Sequence, residues 1–233
     1  MKKKLITLCL CLCLAVTMLS GTALAAGTKF SDVGANSYYA TPVNWAVSEG
    51  ITAGTGNGST FSPDDTCTHA QILTFLWRAA GSPEKDFLYN PFDNISENAY
   101  YFKAAVWAYE KGMMTLTDDS GFEPNKACTR AATVEYLWRY AGRPSAQLVS
   151  FTDVSVNSSM IHSISWAVDH GVTAGTGSGS TFSPNETCTR GQIVTFLYRY
   201  FVEPLATTPA PAPAPPPAAD GGKLDPQPPV DYT

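Results

Sequence analysis

The sequence has little charge, and less of it is positive. Charged residues make up 15% of the 233, with 15 Lys and Arg against 20 Asp and Glu. Lys2, Lys3 and Lys4 lie in a terminal segment that reads as a leader, and without them the formal charge moves from −5 to −8. That balance excludes nucleic acid and an anionic membrane surface as partners, and any anionic ligand needs local positive positions. Histidine is scarce too: His69, His162 and His170 form no constellation with a nucleophile or a carboxylate. The glycine-rich stretches lack the Lys-Ser/Thr of a phosphate cradle. Cysteine is limited to six, three of them (Cys9, Cys11, Cys13) in the leader. The remaining three, Cys67, Cys128 and Cys188, are an odd set. They suit small buried apolar positions, one disulfide, or a three-thiolate metal site, with the apolar reading preferred.

Long apolar runs are absent after the first: Leu5 to Leu19 follows the lysines and precedes Ala23-Leu24-Ala25. This is the pattern of a signal peptide, residues 1–25, and the run is short for a membrane span. The chain is therefore expected to be secreted, with no transmembrane segment after cleavage. At the other end, residues 205–233 are Pro-Ala-rich, the composition of an extended, disordered spacer.

What the rest of the chain does have is one stretch written three times. The copies are Phe61 to Arg78, Phe122 to Arg139 and Phe182 to Arg199. Each runs Phe-x-Pro, then Cys-Thr, then an apolar helical pattern ending in an aromatic-Arg pair. Thr68, Thr129 and Thr189 are natural N-caps, and Gln71 and Gln192 complete capping boxes that Ala132 cannot. Cys67 and Cys188 sit where a hydrophobic staple would meet Ile72 and Ile193; Thr133 is a poorer partner for Cys128. Upstream of each stretch stand Phe30-Ser-Asp-Val33, Phe92-Asp-Asn-Ile95 and Phe151-Thr-Asp-Val154, starting 62 and 59 residues apart. A helix carrying Trp45, Trp107 or Trp166 follows, with Gly50, Gly112 or Gly171 five residues later as a left-handed C-cap. The reading is all-α: three helix-loop-helix repeats at 30–83, 92–144 and 151–204, packed as one body because one helix pair cannot bury its own apolar stripe.

Candidate binding residues come from the same positions. Arg130 and Arg190 open their helices, where the macrodipole disfavours a cation and free amides would favour an anion. Together they suit a carboxylate; the alternative is pairing with a nearby acid such as Asp93 or Asp153. His69 takes the position in copy one. Arg78, Arg139 and Arg199 lie at helix ends and read as structural. Trp45, Trp107 and Trp166 suit a core position or a sugar platform. Asp32, Asp93 and Asp153 suit turn caps or contacts to sugar hydroxyls.

The repeated pattern resembles the S-layer homology family. The residues that carry the resemblance are Phe-x-Asp, the mid-repeat Trp, the Gly-Ile/Val-x-x-Gly loop, Phe-x-Pro and Thr-Arg at the second helix. The resemblance implies a pseudo-threefold helical body with grooves between repeats. It implies a non-catalytic module that binds an anionic, often pyruvylated, secondary cell-wall polysaccharide at the cell wall or S-layer. No catalytic residue, metal or cofactor is expected. Self-association into a surface layer, or wall-glycan hydrolysis, are the competing functions. The family's Thr-Arg-Ala-Glu appears as Thr68-His-Ala-Gln71, Thr129-Arg-Ala-Ala132 and Thr189-Arg-Gly-Gln192. The loop glycine is Gly54 in copy one and Gly175 in copy three, but Leu116 in copy two. Copy three alone keeps both glycine and arginine, so Arg190 is expected to matter most, with grooves that borrow from neighbouring copies as the reservation.

Overall fold

The computed structural model describes residues 28–84, 89–114 and 121–203. The expected leader at 1–25, the Pro-rich tail and Leu116 lie outside them. Six helices follow in order: α1 (Ala40–Ser48), α2 (His69–Ala79), α3 (Phe102–Glu110), α4 (Arg130–Tyr140), α5 (Ile161–Asp169) and α6 (Arg190–Phe201). Among the described residues there is no strand, only isolated bridges. The all-α expectation holds.

Local chemistry sets the second helix of each repeat. The Thr68 and Thr189 hydroxyls accept from the amides of Gln71 and Gln192, both at 3.3 Å, while the Gln side chains accept from the Thr amides at 3.0 and 3.1 Å. Thr129 caps α4 alone, accepting from the Ala132 amide at 3.2 Å. Each such cap stabilises its helix by about 1 kcal/mol. Where the staple was expected to be poor, Cys128 Sγ instead meets Thr133 Oγ1 at 3.5 Å.

Helix pairing does not follow the repeats. The first helix of each copy packs on the second helix of the preceding copy: α3 on α2, α5 on α4 and, closing the ring, α1 on α6. The expected helix-loop-helix unit is thus split across a junction, and the three copies form one body because none owns a complete pair. Trp107 and Trp166 are 2% and 0% exposed in this packing. Trp107 lies 5.7 Å from the Tyr140 ring, and Trp166 5.7 Å from Tyr200. Trp45, half-buried, packs edge-on to Tyr198 at 5.7 Å.

At the centre the cysteines join the copies through their backbones. The Cys67 amide donates to the Cys188 carbonyl (2.9 Å), Cys188 to Cys128 (2.9 Å) and Cys128 to Cys67 (2.8 Å). The first two amides of each second helix donate outward to the next copy's Pro turn. His69 and Ala70 reach the Lys126 and Pro124 carbonyls, Arg130 and Ala131 reach Glu186 and Pro184, and Arg190 and Gly191 reach Asp65 and Pro63, all within 3.1 Å. Each junction therefore repeats one cysteine bond and two helix-start bonds. A buried amide left unpaired would cost about 1–3 kcal/mol, so the copies are interdependent.

All three thiols are unpaired and buried. Burial pushes Cys128 up to about 12 and Cys188 to about 11, and raises Cys67 as well. Thiols held protonated and out of solvent should react slowly. Peptide-resolved labelling should find Cys67, Cys128 and Cys188 unmodified in the native protein and all three modified after denaturation without reductant. A second expectation follows from the ring closure. Deleting residues 28–50 should speed amide exchange in α6, although α6 belongs to the last copy; unchanged α6 protection would mean that each repeat is self-contained.

Candidate functional site

The junctions that close the ring also hold the two helix-opening arginines. Arg130 and Arg190 are 1% and 5% exposed. Arg130 Nε donates to the Phe182 carbonyl at 2.9 Å, and Arg190 Nε donates to the Phe61 carbonyl at 2.9 Å. Arg130 Nη2 also lies 3.4 Å from Thr173 Oγ1 and 3.5 Å from the Gly175 carbonyl. Both guanidinium groups sit between two rings of the following copy. Arg130 is 5.1 Å from the Phe182 centroid and 5.4 Å from Phe196; Arg190 is 4.9 Å from Phe61 and 5.2 Å from Phe75. Burial lowers both from the ordinary arginine value, with nearby acids opposing it. Arginine nevertheless stays charged.

Among the described residues neither group has an ion-pair partner, and Arg130 Nη1 is buried without a hydrogen bond. The alternative pairing with Asp153 does not occur. Asp153 instead accepts from the Phe182 and Ser183 amides at 2.9 and 2.7 Å, and Asp32 accepts from Phe61 and Ser62 at 2.8 and 2.7 Å. These carboxylates fix the turn whose carbonyl receives the arginine. Asp93 was expected to share that role and does not: it is exposed, and the equivalent position is Asn94, whose Nδ2 donates to the Phe122 carbonyl at 2.7 Å.

Gly54 and Gly175 have a steric duty here. Both have positive φ, 105° and 94°. A Cβ on Gly54 would come within 2.4 Å of Phe30 Cε1 and 2.5 Å of the Thr60 carbonyl; on Gly175 it would meet Thr181 O at 2.5 Å and Phe151 Cε1 at 2.8 Å. Glycine lets the hairpin close over Phe30 or Phe151, and at Gly175 it leaves the carbonyl beside Arg130. The arginines and glycines combine across copies, Arg130 with the loop of Gly175 and Arg190 with the loop of Phe61 and Gly54. Arg190 therefore shares its junction with the loop of copy one and not with Gly175 of its own copy, and an arginine meets a glycine-bearing loop at two junctions.

Other expectations change as well. The helix-start amides beside Arg130 and Arg190 are not free, since they donate to the neighbouring turn. Trp107 and Trp166 are core residues, too buried to serve as sugar platforms, and Trp45 is packed on α6. Arg78 and Arg199 are structural as expected, donating to the Ile51 and Val172 carbonyls at 3.0 and 3.3 Å. Arg139 pairs with Glu135 at 2.6 Å. Sequence reasoning missed the flanking Phe75 and Phe196, and Tyr38 and Tyr100, exposed residues of the third copy at each junction within electrostatic reach of Arg130 and Arg190. The Tyr-Tyr pairs at 38–39 and 100–101 were the available signal.

The His69 junction differs. His69 Nδ1 lies 2.7 Å from the Tyr136 hydroxyl. Burial and then Lys126 lower the imidazole, with Glu123 opposing, while burial raises Tyr136. Both directions keep the pair neutral, joined by one hydrogen bond between Nδ1 and the hydroxyl. As pH falls below about 6.5 the unfolded imidazole takes a proton first, so this contribution is complete above that pH and is lost as pH falls through the lower folded value. Thermal melts between about pH 7.5 and about pH 5 should therefore show a steeper loss of Tm in the wild type than in His69→Asn. Equal slopes would show that His69 titrates freely.

Among the described residues no group of three His, Cys, Asp or Glu could hold a metal ion, and no helix is long and apolar enough to cross a membrane. Searching curated proteins finds no match. The S-layer homology domain, by contrast, matches at residues 29–73, 91–133 and 150–194. Such domains are non-catalytic modules that bind the cell-wall polymer and anchor proteins at the cell surface or wall, and no catalytic domain is evident here. With three successive matches covering more than half of its residues, the chain belongs to the S-layer homology family.

Proposed function

We propose that the Arg130 and Arg190 junctions receive the carboxylate of a pyruvylated secondary cell-wall polysaccharide, anchoring the chain at the wall or in an S-layer. The observation that carries this is a buried guanidinium without a counter-ion among the described residues, twice. Desolvating such an ion costs several kcal/mol. Stacking on aromatic faces returns only about 0.5–2 kcal/mol, and single carbonyl bonds about 1.5–3 kcal/mol. A ligand carboxylate supplies the missing charge, with a second guanidinium nitrogen available to it. Asp32 and Asp153 help by holding the turns, and Tyr38 and Tyr100 provide outer surface for a sugar ring. Because the arginines are so covered, the ligand reaches them only as the side chains above give way. Wall-glycan hydrolysis is disfavoured, since Asp32 and Asp153 each spend both carboxylate oxygens on their own turn.

Two expectations follow. Arg130→Ala and Arg190→Ala should each weaken binding at their own site by about 1.5–3 kcal/mol, to similar extents, in titrations with a soluble monovalent ligand. Replacing Arg190 with Met should leave thermal stability equal or higher, because an apolar isostere removes an uncompensated charge. If the Arg130→Ala, Arg190→Ala double variant stays folded and binds like wild type, the carboxylate-receptor reading fails.

A further inference from the structure

Four departures that lie far apart in the sequence meet at one junction. His69 belongs to copy one, Asn94 and Tyr136 to copy two, and Ser159 to copy three. At the other two junctions the matching positions are Arg130 or Arg190, Asp153 or Asp32, Phe196 or Phe75, and Tyr38 or Tyr100. The cyclic pairing of copies brings each set together, with the helix-opening residue from one copy, the turn and facing ring from the next, and the exposed position from the third.

The exchanges satisfy one another chemically. With histidine at the helix start, no guanidinium Nε reaches the Phe122 carbonyl; Asn94 Nδ2 donates to that carbonyl instead, at 2.7 Å. An aspartate there would have no proton to give. Histidine also needs a partner once half-buried, and the hydroxyl that distinguishes Tyr136 from Phe75 and Phe196 provides it at 2.7 Å, with the rings edge-on at 5.8 Å. Placed at an open junction, that hydroxyl would crowd the space between two rings that the guanidinium occupies. The exposed tyrosine is missing as well, since Ser159 stands in its place. No guanidinium stands at this junction, and neither His69 nor Tyr136 has a buried side-chain nitrogen or oxygen without a hydrogen bond.

We infer that the chain is a two-site receptor whose third junction has been converted into a neutral, self-satisfied joint. This rests on the proposed carboxylate role of Arg130 and Arg190. The Asn94, His69 and Tyr136 set holds the ring closed at that joint and takes no anionic sugar.

Calorimetric titration of the full chain with the methyl glycoside of a pyruvate-ketal N-acetylhexosamine tests this directly. The expected stoichiometry is two, falling to one in Arg130→Ala or Arg190→Ala and staying at two in His69→Ala. Three sites in the wild type would overturn the inference and leave the receptor reading standing, whereas no binding at all would overturn the receptor reading itself. Thermal melts give a separate test of the set. His69→Arg alone should lower Tm, because Asn94 already occupies the Phe122 carbonyl and Tyr136 the ring gap. Combining it with Asn94→Asp and Tyr136→Phe should recover most of the loss. A triple variant whose loss equals the sum of the three single losses would show that these residues are not a set.

Discussion

Everything in this body depends on helix starts being completed by another copy. The first two amides of α2, α4 and α6 find their acceptors in the Pro turn of the following copy, and the three cysteine amides close a ring of the opposite sense, each donating to the preceding copy. Backbone donors cannot be left dry, so the three copies must assemble together. The handed pairing of α1 with α6, α3 with α2 and α5 with α4 then buries the remaining apolar faces. Small side chains are needed where three backbones converge, which gives the cysteines a reason to recur that involves neither a disulfide nor a metal.

The same constraint fixes where charge is stored. A residue at the helix start is carried into the junction beneath the next copy's turn, with its amide already used. An arginine there can extend only toward the Phe-x-Pro carbonyl and between two rings. The Asp that braces the turn is turned inward to amides and away from the guanidinium. The fold thus separates a cation from the acid in its neighbourhood and holds both rigid. A neutral His-Tyr pair can replace this arrangement at one junction only if the carbonyl it abandons gains another donor, as Asn94 provides.

How much of this was legible in the sequence follows from how local each signal is. Thr68, Thr129 and Thr189 were readable as caps because the cap and its partner lie three residues apart. Gln71 and Gln192 completed the box where Ala132 could not, for the same reason. The burial of Trp107 and Trp166 could be anticipated from their place on an amphipathic helix, but not the packing of Trp45, whose ring partners Tyr198 and Phe201 come from the last copy. The helix-start amides were misjudged because their acceptors, such as Pro184 for Ala131 and Pro63 for Gly191, lie a whole copy or more away in sequence. Asp93 was chosen by residue type over register: counted from Phe92, the turn-bracing position is Asn94, and the backbone selects by position. Pairing Arg190 with Gly175 assumed that a site lies within one copy, whereas ring closure gives Arg190 the loop of Gly54.

The central claim is that the missing counter-charge of Arg130 and Arg190 is supplied by a ligand carboxylate. Side-chain NMR of the arginine Nε–H groups tests it most directly, because those protons report the guanidinium itself. On titration with a pyruvate-ketal sugar, the Arg130 and Arg190 signals should shift together with saturation, while Arg78 and Arg199, bound to Ile51 and Val172 carbonyls, stay in place. Saturable binding of that sugar with the Arg130 and Arg190 signals unmoved would contradict the account.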